Sequence, residues 1–385
     1  MFIDSEDIKR VIPEVIKIRR HIHMYPEISE HEYETSKYIK KCLEEIGLEA
    51  NFIGDTGVVS MLMNNPEFQT VGLRAEMDAL PIEEETNLEF KSKNKGVMHA
   101  CSHDGIVATA LGVTKLLYEH KDELKCNVKF IFEPAEEVGR GAKKLIKEKV
   151  LENPTVDKMV IFHYANSAPI GMEIQKGVST ATLGRVSIEI IGKSSHWGEP
   201  EKGINAISVA AKVIDAIDKI NEDLKEKIQF VLGMGIINGG VKNNIMAENV
   251  KLEGTIRTFC EENLEYVLTY LQDRMKEIEE ETKATIKATL TSHLPALINN
   301  PYLVKMGSKV GKEVFGDKFV LGENPFLSGD NAAYYFRLVP GVRMVLFAEK
   351  ENEENYPLHN GKFDFNEDIF PYAVCALYNV ISTIE

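Results

Sequence analysis

Residues 183–291 carry strand and helix periodicities in the order β-α-β-β-α-β, and that block cannot be one more turn of the strand–helix alternation around it. Val186, Ile188 and Ile190 alternate, as a half-buried strand does, and Ile207, Ala210, Ile214, Ile217, Ile220 and Leu224 recur at helical spacing. Two further alternating runs follow, from Phe230 to Ile236 and from Val250 to Ile256. Leu264, Val267, Leu271, Met275 and Ile278 then mark a second helix, and Ile286, Ala288 and Leu290 a closing strand. This is the ferredoxin-like arrangement, a small α+β domain with a core of its own. A chain of 385 residues exceeds what one core usually holds, so the block is expected as an insertion between 1–182 and 292–385, which rejoin as one α/β domain with a mixed sheet.

The flanking segments support that division. Helical patterns at 5–22 and 33–46 precede strands at Val58–Met63 and Thr70–Arg74. A helix from Ile106 to Tyr118, a strand Asn127–Phe132, a helix near Ala142–Val150 and a strand Lys158–Phe162 follow. After the insertion, Arg343–Phe347 reads as one more strand and Glu367–Ile384 as a closing helix. Polar residues gather just beyond the strands: Asp78, the Glu136–Glu137 pair and His163. Open α/β sheets place their sites at the carboxyl ends of strands.

Charge and cysteine usage narrow the function classes. The chain has 45 Lys and Arg against 60 Asp and Glu, a net charge of −15, which disfavours nucleic acid and anionic membrane as partners. No run approaches the ~20 apolar residues of a membrane span, and the first twenty residues read as an amphipathic helix without the apolar centre of a signal peptide. Five cysteines without framework spacing fit reduced thiols, so a cytoplasmic location is expected.

Cys101 and His103 are two residues apart, which in extended backbone sends both side chains to the same side, where they can converge on one ion. Alone, such a pair is more often a buried thiol and a hydrogen-bonded histidine. Glu136 and Glu137 read equally as a solvated turn, and His163 and His359 as capping or core histidines. Together they form the inventory a metal hydrolase needs, several ligands plus one carboxylate left to deprotonate water.

In order along the chain, these segments resemble the di-metal aminoacylase/carboxypeptidase metallopeptidases. The branch is the amidohydrolases that act on hippurate, N-acyl amino acids and auxin conjugates. The likeness is carried by Ile18-Arg-Arg-His-Ile-His23, Leu73-Arg-Ala-Glu-Met-Asp-Ala-Leu-Pro81, Met98-His-Ala-Cys-Ser-His-Asp-Gly105 and Phe130-Ile-Phe-Glu-Pro-Ala-Glu-Glu137. It continues through Gly192-Lys-Ser-Ser-His196, Gly239-Gly-Val-Lys-Asn-Asn244, Gly254-Thr-Ile-Arg-Thr-Phe259 and Leu358-His359. The resemblance implies two divalent ions, zinc, manganese, cobalt or nickel, on Cys101, His103, Glu137, His163 and His359.

It implies Glu136 as general base, Asp78 as the acid that orients the site, and His196 as a donor to the oxyanion. Asn244 and Arg257 would hold the substrate, a small N-acyl amino acid or conjugate, and the inserted domain would act as a lid that forms a homodimer. Trp197, the only tryptophan, would line the acyl pocket or pack the hinge. A dipeptidase or carboxypeptidase of the same family, or a catalytically silent relative, is the alternative. Three positions depart from the branch: Ser102 stands for a glycine, Ile106 for a histidine and Glu76 for an aspartate.

Overall fold

A computed structural model describes residues 2–384 and divides them into two compact units. The first holds the chain up to Ser179, Ile298–Asn324 and the chain from Asn331 onward; the second holds Thr180–Leu297 and Pro325–Asp330.

The first unit opens with α1 (Ser5–Met24), α2 (Tyr33–Ile46), β1 (Ala50–Ile53), β2 (Gly57–Leu62) and β3 (Thr70–Glu76). It continues with α3 (His103–Glu119), β4 (Asn127–Glu133), α4 (Gly141–Lys147), β5 (Lys158–Ala165), β6 (Gly171–Gln175) and β7 (Val178–Thr180). The second unit carries β8 (Thr182–Ile191), α5 (Ala206–Leu224), β9 (Phe230–Gly239), β10 (Asn249–Thr258), α6 (Glu261–Thr282) and β11 (Thr285–Leu294). Past β12 (Leu297–Ile298), the chain forms α7 (Pro301–Phe315), β13 (Phe319–Gly322), α8 (Ala333–Phe336), β14 (Gly341–Phe347) and α9 (Phe370–Ser382).

Eight strands of the first unit form one mixed sheet in the order β1-β2-β4-β3-β5-β14-β6-β13. Every residue of β3 and β4 is buried, as expected of strands covered on both faces. Helix α1 starts where the Asp4 side chain accepts the Glu6 amide, and it turns Val11, Val15, Ile18 and Ile22 into the core. Helix α3 is buried along most of its length, Ile106 included, because it packs against both α1 and α9. The parallel neighbours β4, β3 and β5 end on the same edge of the sheet, so the segments after them meet there.

The second unit is a four-stranded antiparallel sheet in the order β11-β8-β10-β9. Val186, Ile188 and Ile190 pack with Val209, Val213 and Ile217 of α5 and Leu264, Val267 and Leu271 of α6. The last strand runs on to Leu294, past the expected end at 291, because a bulge between Leu290 and Ser292 breaks the alternation that marks a strand in sequence. Pro325–Asp330 joins this unit rather than the first, tied by the Ala181 amide to the Phe326 and Ser328 carbonyls, 3.0 Å each.

Candidate metal centre

Four segments of the first unit converge at the carboxyl ends of its strands. Cys101, His103 and His163 form one group, Cys101, Glu137 and His359 a second, and His103, Glu136 and Glu137 a third; within each, the potential ligand atoms lie within 4.8 Å of one another. Cys101 is common to the first two groups. The structure therefore brings together the five expected ligands and Glu136. Asp78 stands directly behind them.

The Cys101–His103 pair converges by a route other than the extended one expected. Ser102 lies in the left-handed region, φ 63°, at the N-cap of α3, so the chain turns sharply between the two side chains. His359 also takes positive φ, 66°, and its amide donates to the Ala100 carbonyl at 2.8 Å. Its Nε2 then lies 3.3 Å from Cys101 Sγ and 3.5 Å from Glu137 Oε2. His163 stands within β5 rather than after it, with Nε2 3.6 Å from Cys101 Sγ. Glu136 and Glu137 both approach the ring of His103, because they sit in a tight turn. The Gly139 amide reaches the Glu136 carbonyl at 2.7 Å, and a Cβ on Gly141 would lie 1.9 Å from the Pro134 carbonyl oxygen.

Hydrogen bonds fix which ring nitrogens face the centre. His103 Nδ1 is 2.8 Å from the Asp78 carbonyl and 3.3 Å from Asp78 Oδ1, and the shorter contact takes the proton. His163 Nδ1 donates to the Tyr164 carbonyl at 2.7 Å. Both rings thus turn Nε2 inward, the arrangement that orients histidine toward metals. Asp78 Oδ2 accepts from Ser29 Oγ at 2.7 Å and from the Glu137 amide at 3.0 Å.

The electrostatics favour positive charge. Burial disfavours the charged form of His103, yet the neighbouring Asp78 carboxylate and Cys101 sulfur hold its pKa well above the ordinary value. Burial pushes the Cys101 thiol up, with Glu137 and Glu136 adding to it and His103 opposing. Asp78 is lowered against its burial, chiefly by His103. His103 Nε2 and Glu137 Oε1 are buried, have no hydrogen-bond partner among the described residues and lie 3.9 Å apart. An imidazole nitrogen and a carboxylate oxygen buried in this way are costly unless a proton or a metal cation between them satisfies both. A thiol, imidazoles and carboxylates are also the donor set that suits such an ion.

The departures now have physical settings. Glu76 is buried and ion-paired with Arg74, which also donates to Glu133 at 2.8 Å and Asn331 at 2.6 Å. Ile106 lies in the hydrophobic core. Two features had no signal strong enough to be found in sequence. One is Glu32, bonded to the Ala135 amide at 2.8 Å. The other is a buried network in which Arg19 meets Asp104, Asp364 and Glu367, and His23 lies between Asp104 and Glu84.

His196, Asn244 and Arg257 belong to the second unit. His196 follows β8, and its Nδ1 accepts the Gly198 amide at 3.0 Å, which leaves Nε2 as the protonated, donating nitrogen. An antiparallel bridge between His196 and Ile245 sets the exposed Asn244 in the neighbouring loop. Arg257 on β10 donates to the Leu327 carbonyl at 2.8 Å, and Trp197 is half exposed.

A model of peptidase family M20/M25/M40 matches residues 72–383. The chain is 34% identical to an N-acetyl-L-cysteine deacetylase of Bacillus subtilis, over 95% of this chain and 86% of that protein. It is equally 34% identical to thermostable carboxypeptidase 1 of Saccharolobus solfataricus, over 97% of this chain and 95% of the other. The crystal structure of the Bacillus subtilis YXEP protein, described as a dinuclear metal binding peptidase, superposes with a TM-score of 0.84 at 28% identity, covering 97% and 98% of the two chains.

Proposed function

This chain belongs to peptidase family M20/M25/M40, and on that premise we propose that it is a metal-dependent amidohydrolase that cleaves N-acyl amino acids or related conjugates into a carboxylic acid and an amine. The observation that carries the reading is the convergence of Cys101, His103, Glu137, His163 and His359 on a centre with orphaned buried donors, with Glu136 beside it. Those five residues would hold two divalent ions. When bound, such ions polarise a carbonyl and acidify water.

Glu136 accepts the proton of the attacking water and returns it to the leaving nitrogen, so no covalent intermediate is needed. Asp78 orients His103 through its carboxylate and carbonyl, and anchors the Glu137 amide. His196 Nε2 is assigned the developing oxyanion, and Asn244 and Arg257 the substrate's polar groups. The edge strand of the second unit supports a homodimer. Five free cysteines, with no helix among the described residues long and apolar enough to cross a membrane, support a cytoplasmic site of action.

The carboxypeptidase relative favours a second reading, hydrolysis of a peptide's terminal amide, which shares the chemistry and differs in the acyl side. A screen separates the two: metal-stripped protein, with zinc, manganese, cobalt or nickel restored singly, offered N-acetyl, N-benzoyl and long-chain acyl amino acids beside dipeptides. Metal-dependent turnover of acyl amino acids above dipeptides is expected. Preference for dipeptides would select the second reading, and turnover unaffected by stripping would overturn both.

A further inference from the structure

Ala135 takes φ 54°, in the left-handed region, just before the Glu136–Glu137 pair. For a residue with a Cβ that conformation costs roughly 1–2 kcal/mol, so something must hold it. The Ala135 carbonyl accepts from the Arg140 and Gly141 amides at 3.2 and 3.1 Å, which closes the turn from one side. On the other side the Ala135 amide donates to Glu32 Oε1 at 2.8 Å.

Glu32 is distant in sequence, at the N-cap of α2, and fully buried. The same Oε1 accepts the Glu30 amide at 3.0 Å, and Oε2 accepts Thr56 Oγ1 at 2.7 Å. Three donors therefore fix one carboxylate in one rotamer. We propose that Glu32 is a positioning residue: its carboxylate pins the Ala135 peptide in the left-handed state that turns Glu136 and Glu137 toward His103. Burial raises the Glu32 carboxyl above its ordinary value, an expense the fold would avoid if the position needed only to be filled. The proposal rests on the reading of Glu136 as the proton acceptor.

The test measures kcat, KM and bound metal, with the restored ion and the acyl amino acid chosen by the screen, for Glu32→Ala, Glu32→Asp, Glu32→Gln, the pair Glu32→Ala with Ala135→Gly, and Glu136→Gln. Losing the anchor should misplace Glu136 and lower kcat ~10-fold or more in Glu32→Ala, with KM near the parent's and metal content kept because Asp78 still holds the Glu137 amide. Glu32→Gln should stay close to the parent, because its amide oxygen still accepts the Ala135 amide. Adding Ala135→Gly should recover part of the loss, since glycine adopts positive φ without a Cβ penalty. If Glu32→Ala does not fold, Glu32→Asp carries the test, its shortened side chain lowering kcat several-fold. Overturning results are kcat within two-fold of the parent for the anchor-losing variants, or a Gln variant as impaired as the Ala variant. Should Glu136→Gln turn over normally, the reading of Glu136 fails, and the proposal with it. An inactive Glu136→Gln beside an active Glu32→Ala removes the proposal alone.

Discussion

Ser102 shows how one residue can work against its position and still fit. At φ 63° it occupies a conformation that costs roughly 1–2 kcal/mol for a side chain and nothing for glycine. Glycine loses about 0.5–1 kcal/mol more backbone entropy on folding, so the left-handed penalty wins by a small margin. Ser102→Gly should therefore stabilise the protein by about 0.5–1 kcal/mol, read as a higher denaturant midpoint at unchanged slope. A lower midpoint would mean that the Ser102 hydroxyl, bonded to the Cys101 carbonyl, outweighs the strain. Sequence could flag this position as a replaced glycine. It could not show that the left-handed turn, rather than an extended strand, is what brings Cys101 and His103 together.

At the level of elements, α1 and the first turn of α3 are joined by charge as well as by apolar packing. Burial disfavours a charged His23, but Asp104 and Glu84 override it and raise its pKa to about 9 from 6.5. Because the folded value lies above the unfolded one, the stabilisation is fully present below about pH 6.5 and fades as the pH rises through about 9. Its size is on the order of 3 kcal/mol. Comparing the denaturant stability of the parent with His23→Gln from pH 6 to pH 9.5 should show a gap that is widest at the acid end and narrows toward the alkaline end. A gap that grows with pH would reverse the assignment.

Helices and strands with strong periodicity, such as α1, α2, α5 and α6, were legible in the sequence because each buries one continuous face. Helix α7 was not foreseen, although Asn300 caps it and Pro301 follows at its first position. The short strands β6 and β13 escaped because a few residues cannot establish a period. The ligand residues were legible as chemistry, whereas Glu32 and the Arg19 network are ordinary charged residues whose roles exist only once distant segments meet.

For the whole molecule, the second unit leaves an apolar edge. Strand β9 ends its sheet, and Ile236 and Ile237 are half exposed there, with Val241 87% exposed beyond them. Ile214 of α5 lies in the same groove as Ile236. An unpaired edge beside exposed apolar side chains favours pairing with a second copy. Light scattering should give twice the 43.3 kDa chain mass, and Ile236→Lys should shift the population toward a single chain. A parent that runs as a single chain would remove the homodimer.

The proposed chemistry is amide hydrolysis with Glu136 as the proton acceptor beside a metal centre held by other residues. The most direct measurement pairs elemental analysis with turnover of an N-acyl amino acid for the parent and Glu136→Gln. Equal metal content in the two proteins and a loss of ~10²–10⁴ in kcat in the variant are expected. Metal lost together with activity, or activity retained without the carboxylate, would contradict it.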